Sequence, residues 1–202
     1  QQRTFKATFG LPPEALVLLV TGGGLGARRV NIAMTEIARK LLAAHPNLAI
    51  LHLTGRGKDQ EITQMYAKQL QGADLERVVV EAFVTDLERY SGAADVVIAR
   101  AGASTIAELA AQAKACILVP NPLLSGGHQL KNAQILAKQE AVKIVDNESV
   151  TKNPELLLRV ADELLSNPQE RDHLGGRLHT VFVPNAAQKI ARILYKVAER
   201  KG

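Results

Sequence analysis

The sequence predicts an α/β fold: a doubly wound parallel sheet of about six strands, with helices on both faces. Two observations carry this. Short, wholly apolar runs alternate with longer amphipathic stretches along most of the chain. These runs are too short for ordinary helices and lack polar alternation, so they read as strands buried on both faces. In addition, no Pro/Gly/Ser-rich linker and no repeat interrupts the 202 residues, which fits one domain with a substantial core. Right-handed crossovers then leave the doubly wound, Rossmann-like arrangement as the default.

The elements follow in order. Ala15–Thr21 (ALVLLVT) is the first strand, and the glycine run Gly22–Gly26 follows it. Ala27–Ala44 is helical, because Val30, Met34, Ile37 and Leu41 recur on one face. Leu48–Leu53 is the second strand, Asp59–Leu70 a helix and Arg77–Ala82 the third strand. Asp86–Ser91 forms one short helical turn before the fourth strand, Asp95–Ala99. Ser104–Ala113 is helical and Ala115–Val119 is the fifth strand. A long loop, Pro120–Gly127, leads into the helix His128–Gln139, and Val142–Val145 is the sixth strand. After that the strands stop. Pro154–Leu165 has Pro in its first turn, where the missing N–H is harmless. Gln169–Leu178 and Ala186–Glu199 complete the chain, separated by Pro184.

Composition excludes several classes. Apolar residues make up 47% and charged residues 22%, an ordinary globular balance that argues against disorder. The single cysteine, Cys116, rules out a disulfide framework within the chain and fits a reducing compartment. There is no run of 18 apolar residues to span a bilayer, and no secretory signal pattern. The net charge of +5 lies entirely in the last 32 residues, where 7 basic side chains face 2 acidic ones. Aromatics are 3% and Trp is absent, which leaves few platforms for stacking nucleic-acid bases. The chain does not begin with Met and is expected to be a piece of a longer or processed product.

In an open α/β sheet ligands bind beyond the carboxyl ends of the strands, and four loops at that edge carry chemistry. Thr21–Ala27 (TGGGLGA) joins strand to helix, which suits phosphate: glycines admit a close approach and the helix N-terminus presents free N–H groups. It lacks the Lys-Ser/Thr of a Walker loop and the acidic residue that closes a dinucleotide site. Arg100–Thr105 (RAGAST) is a second such turn, in which Ser104 or Thr105 is expected to cap the next helix. Glu108 follows in the second turn, either as a carboxylate for a vicinal diol or as a solvated surface charge. The loop after the fifth strand delivers His128, Gln129 and Asn132, whose amides suit sugar hydroxyls, or it ends in a capped helix with exposed polar groups. Glu81–Asp86 offers apolar residues to wall a base. No hydrolytic triad assembles, and the five histidines lack zinc spacing. His52 reads as a buried structural histidine.

Taken in order, Gly-Gly-x-x-Gly-Ala-x-x-x-Asn (Gly22 to Asn31), Arg-x-Gly-Ala-x-Thr-x-x-Glu (Arg100 to Glu108) and His-Gln-x-x-Asn-Ala (His128 to Ala133) resemble the C-terminal half of the MurG family. These are the bacterial N-acetylglucosaminyltransferases that make lipid II for peptidoglycan, and the resemblance covers essentially the whole chain. It implies the C-terminal half of a two-domain GT-B fold, with UDP-GlcNAc held mainly by this half. By the same resemblance, Val84 contacts uracil through its backbone. Ala103, Ser104 and Thr105 lie along the nucleotide, with Gly102 allowing close approach. Glu108 binds the ribose, Gly22, Gly23, Gly24 and Gly26 wrap the diphosphate, and Arg3 reaches it from an interdomain segment. Gln129, with His128 and Asn132, reads the GlcNAc, while Arg100 is a nucleotide contact or a structural residue.

The same resemblance implies residues 1–14 as that interdomain segment, 15–183 as the donor domain, and 184–202 as a helix that crosses back to the N-terminal domain or meets an anionic membrane. It implies an inverting, metal-independent transfer of GlcNAc to lipid I, with no cofactor and no catalytic residue in this half. The acceptor is then met through the N-terminal domain at the inner face of the cytoplasmic membrane, and nucleic acid is no partner. Two departures stand out. Gly24 replaces a Ser common in the family, which removes a hydroxyl donor, and Ser125-Gly126-Gly127 lacks the acidic residues common there. Two other readings remain open: the donor half of a diacylglycerol sugar transferase or of the dolichol-linked GlcNAc transferase, and a nucleotide-binding module without catalysis.

Overall fold

The computed structural model describes residues 1–24, 26–122 and 125–199. Leu25 of the glycine run, Leu123–Leu124 of the long loop, and Arg200 and Lys201 of the basic tail lie outside the described residues.

Six parallel strands form one sheet in the order β3-β2-β1-β4-β5-β6. They are β1 (Leu16–Thr21), β2 (Leu48–Leu53), β3 (Val78–Glu81), β4 (Val96–Ala99), β5 (Ala115–Leu118) and β6 (Lys143–Ile144). The chain winds outward from β1 to β3, returns to place β4 beside β1, and winds outward again. The point of reversal therefore lies between β1 and β4. Their register pairs Thr21 with Ala99, so both strands end at the same level. The sixth strand is shorter than its apolar run, because only Lys143 and Ile144 pair with β5.

Alternation in β1 shows why its run is apolar throughout. Leu18 and Val20 face one helical layer, and Val17 and Leu19 face the other. The first layer holds α2 (Arg28–Ala44), α3 (Asp59–Gln69) and α9 (Pro154–Ser166), through Val30, Met34, Ile37, Leu41, Tyr66, Leu157 and Leu164. The second holds α5 (Leu87–Ala93), α6 (Ala103–Ala111) and α7 (His128–Lys138), through Tyr90, Leu109 and Leu136. α10 (Pro168–His179) begins after Asn167, whose side chain accepts the Glu170 N–H at 3.1 Å.

Three helices escape the periodic pattern. α1 (Gln2–Ala7) lies in the segment expected to be a bare connection. It docks through Phe5, against which a Cβ on Gly92 would collide at 2.4 Å. It also docks through the buried Lys6, whose Nζ reaches Ala15 O at 2.7 Å and Asp95 Oδ2 at 3.0 Å. α4 (Ala73–Glu76) is one turn. α8 (Asn147–Lys152) starts at Asp146, whose carboxylate accepts the N–H groups of Glu148 and Ser149 at 2.9 Å each. Those bonds hold the Asp146 carboxyl below the ordinary carboxylate range.

α11 (Ala186–Glu199) is amphipathic and keeps its apolar face in the open: Ile190, Ile193 and Leu194 are 58, 61 and 64% exposed. Among the described residues, no helix is long and apolar enough to cross a membrane.

Candidate nucleotide-sugar site

The strand reversal puts the glycine loop and the Arg100–Gly102 turn side by side, one at the exit of β1 and the other at the exit of β4. A crevice at such a switch point is where open α/β sheets bind their ligands. The glycine loop is tight. Gly26 N donates to Gly23 O at 2.8 Å, and a Cβ on Gly22 would lie 2.3 Å from the Ala27 nitrogen. Gly26 has φ +72°, and a Cβ there would sit 2.1 Å from Thr54 O at the exit of β2. Only glycine closes this turn against the neighbouring strand. Gly24 is different, since a Cβ would meet only the Phe83 ring, at 3.6 Å. α2 begins directly after the loop, and no side chain caps it at Ala27. Among the described residues, no carboxylate or hydroxyl bonds its first N–H groups, which with the positive end of its dipole lie at the crevice.

α6 opens the same way. Its N-cap is Gly102, in extended conformation and without a side-chain cap bond. The expectation that Ser104 or Thr105 caps this helix is therefore corrected: the helix starts at Ala103, so both hydroxyls already lie inside its first turn. Ala103 and Ser104 are exposed, and Thr105 is partly buried. Glu108 is exposed one turn on, in the wall of a groove of about 900 Å³ that also touches Thr85, Asp86, Phe5 and Gln112. Val84, partly buried, packs its side chain on the second core layer.

Arg100 serves the fold. Its Nη1 donates to Val119 O at 2.8 Å and to Asn147 Oδ1 at 2.7 Å, tying the exits of β4 and β5 to α8. Burial, and secondarily the charge of Arg29, lower its pKa to about 10. Past β5, a 3-10 turn (Ser125–Gly127) precedes α7, with φ +63° at Gly126 and +72° at Gly127. Gln129 Oε1 accepts the Asn121 N–H at 3.0 Å, and Asn132 Nδ2 donates to Ala101 O at 3.2 Å. Asn132 thereby links α7 to the β4 turn, while His128 is exposed beside Gly126. Arg3 stands apart. Gln2 Nε2 bonds Ala93 O, Ala94 O and Asp95 Oδ1, which anchors α1 at the entrance of β4. The glycine loop is at the opposite edge, so the structure does not bring Arg3 to it.

Sequence reasoning missed what supports the loop. His52 and Tyr66 are fully buried, and Asn31 is almost so. Asn31 Nδ2 donates to Thr54 O at 2.8 Å, so its Oδ1 is left to accept from His52 Nε2, at 3.1 Å. His52 Nδ1 then accepts the Tyr66 hydroxyl at 2.8 Å. Burial keeps the imidazole neutral, its pKa lowered to about 3, and pushes the Tyr66 phenol up. His52 is thus a satisfied structural residue, as its place on an apolar strand indicates. The missed signal was a polar residue on the buried side of each of three successive elements: Asn31, His52 and Tyr66.

Residues 17–190 match the glycosyltransferase family 28 C-terminal domain. A UDP-N-acetylglucosamine–N-acetylmuramyl-(pentapeptide) pyrophosphoryl-undecaprenol N-acetylglucosamine transferase from Cytophaga hutchinsonii is 33% identical over 94% of this chain and 48% of its own length. Its namesake from Moorella thermoacetica is 35% identical over 95% of this chain and 51% of its own length. The crystal structure of Acinetobacter baumannii MurG superposes with a TM-score of 0.78 at 30% identity, covering 95% of this chain and 53% of that one. The chain thus spans about half the length of the relatives it matches. With its doubly wound sheet and paired loops at the switch point, the chain belongs to glycosyltransferase family 28, as a C-terminal domain of that family.

Proposed function

We propose that the chain is the donor-binding half of an N-acetylglucosaminyltransferase that moves GlcNAc from UDP-GlcNAc to lipid I, forming lipid II for peptidoglycan. The observation that carries this reading is the pair of uncapped helix N-termini, α2 and α6, at the switch point between β1 and β4. Two such ends suit a diphosphate and its nucleoside.

In this reading the N–H groups at the start of α2 and in the loop Gly22, Gly23, Gly24 and Gly26 hold the diphosphate. Glu108 accepts both ribose hydroxyls. The Val84 backbone reads the uracil edge, and Ala103–Thr105 run along the nucleotide. His128, Gln129 and Asn132 meet the sugar.

The reaction is an inverting displacement. An acceptor hydroxyl attacks the anomeric carbon, and the bond from that carbon to the diphosphate oxygen breaks. The departing UDP gathers negative charge, which the α2 dipole stabilises. The proton goes to a base in the other half, so this domain by itself holds the donor without turning it over. No metal and no organic cofactor take part. Residues 1–14 join the halves, 15–183 bind the donor, and 184–202 reach the other half, which carries the acceptor at the inner face of the cytoplasmic membrane. Titration calorimetry of the folded 202-residue chain with UDP and UDP-GlcNAc tests the reading. Saturable 1:1 binding is expected, and no heat of binding from either ligand would remove it.

A further inference from the structure

We propose that Arg56, in the turn after β2, is a diphosphate-binding residue of the same donor site. The proposal rests on the donor reading above and adds a residue that none of the loop motifs contains. Four observations place it. First, the turn Gly55-Arg56-Gly57 is fastened to the glycine loop, with Arg56 N donating to Gly24 O at 3.3 Å. Second, the preceding Thr54 is held from below. Its carbonyl accepts Asn31 Nδ2 at 2.8 Å and lies where only a Cα of Gly26 fits. Third, the Arg56 guanidinium carbon lies over the Phe83 ring, 4.0 Å from its centroid. That ring is also the group a Cβ on Gly24 would meet, at 3.6 Å. Fourth, Arg56 forms no ion pair among the described residues, unlike Arg28, which is 2.8 Å from Glu61.

The chemistry follows from the stacking. A cation–π contact occupies the face of the guanidinium and leaves its in-plane N–H donors free. Those donors form a planar fork that matches two phosphate oxygens. The side chain is exposed, so the charge carries little desolvation cost before ligand arrives. Phe83 fixes its orientation, so less rotamer freedom is lost on binding. An unneutralised, oriented guanidinium beside the uncapped start of α2 supplies the full positive charge that the backbone dipoles lack. It stands at the loop position where Gly24 offers no hydroxyl.

The test uses the 202-residue chain with UDP, UMP and uridine in calorimetry at low and moderate salt. Arg56→Ala is expected to weaken UDP about tenfold while leaving uridine unchanged. The salt dependence of UDP binding should become shallower in Arg56→Ala, a change that a merely structural role would not produce. Arg56→Lys should recover part of the loss, and Phe83→Leu should give an intermediate one. Equal UDP affinity in Arg56→Ala and the parent overturns the proposal and leaves the donor reading standing. Equal losses for UDP and uridine also overturn it, because the turn would then act only as scaffold. If the parent chain binds no UDP, the donor reading falls and takes this proposal with it.

Discussion

Acidification should destabilise this domain through His52, and the size of the effect follows from the buried relay beneath the glycine loop. The imidazole is fully buried between Asn31 Oδ1 and the Tyr66 hydroxyl. Protonation would put a second N–H on Nδ1, facing a hydroxyl that at present donates to it. It would also place a charge in an apolar layer with no carboxylate partner in the relay. The folded-state pKa is accordingly lowered from 6.5 to about 3. Between these values the unfolded chain binds a proton that the folded chain refuses, so stability falls as pH drops below 6.5. The expected slope is about 1.4 kcal/mol per pH unit, which amounts to about 2 kcal/mol by pH 5. A domain of ordinary stability, roughly 5–15 kcal/mol, shows such a loss clearly.

Urea unfolding between pH 7 and pH 4.5 measures it, with His52→Gln as reference. A glutamine amide can bridge the same two partners and does not titrate. Asp146, whose carboxyl is held below its ordinary range, also loses stabilisation as pH falls, but equally in both proteins. The difference between the two slopes therefore belongs to His52. Parallel slopes for parent and variant would refute the reasoning, because the imidazole would then be solvated or paired in the folded state.

Three further substitutions probe the site. Glu108→Ala should weaken UDP by about 1–3 kcal/mol while leaving 2′-deoxyuridine diphosphate less affected, since the lost acceptor serves ribose hydroxyls; equal losses for the two nucleotides would remove that role. In the glycine loop, Gly24→Ser should fold normally and bind UDP more tightly by about 1 kcal/mol, because its Cβ meets only Phe83 at 3.6 Å. Gly26→Ala should cost about 3 kcal/mol or more in unfolding stability and also weaken UDP, because its Cβ would meet Thr54 O at 2.1 Å. Thermal unfolding and calorimetry on this pair check both statements, and a stable, UDP-competent Gly26→Ala would disprove the steric argument.

What was legible in the sequence depended on burial being apolar. The strands could be read because β1, β2, β4 and β5 have nearly every side chain inside, which demands unbroken apolar runs. The loops at the ligand edge could be read because tight turns leave glycines. α1 was missed because only Phe5 among its anchors is apolar: Lys6 and Gln2 dock by hydrogen bonds and a partly buried ion pair, which leave no hydrophobic period. α8 was missed because its six residues bury one apolar side chain, Val150, which makes no period, although Asp146 ahead of Glu148 and Ser149 is a capping signal. Ser104 and Thr105 were misplaced as caps, since the N-cap is Gly102 and they lie two and three positions after it. Arg56 and Phe83 are separated by 26 intervening residues and meet only once β2 and β3 pair. Pairings between neighbouring strands carry no local signature.

The charge distribution shows why counting basic residues was a poor guide to an anion site. The chain's excess of +5 lies in its last 32 residues, outside the loop motifs of the switch point. At the switch point itself the cations are mostly committed. Arg28 faces Glu61, and Arg100 is consumed by Val119 O and Asn147 Oδ1. Besides Arg56, what remains is backbone: the uncapped starts of α2 and α6, the first aimed by Gly22 and Gly26, which admit no Cβ. Dipoles of this kind act at short range and only in the right direction, so their value depends on the loop's shape. That shape is set from beneath by Asn31, His52 and Tyr66, which fix Thr54 and through it Gly26. The buried polar relay thus belongs to the proposed donor site although none of its atoms faces the crevice. A change there should act on nucleotide affinity through loop geometry, and on stability through unsatisfied groups, at the same time.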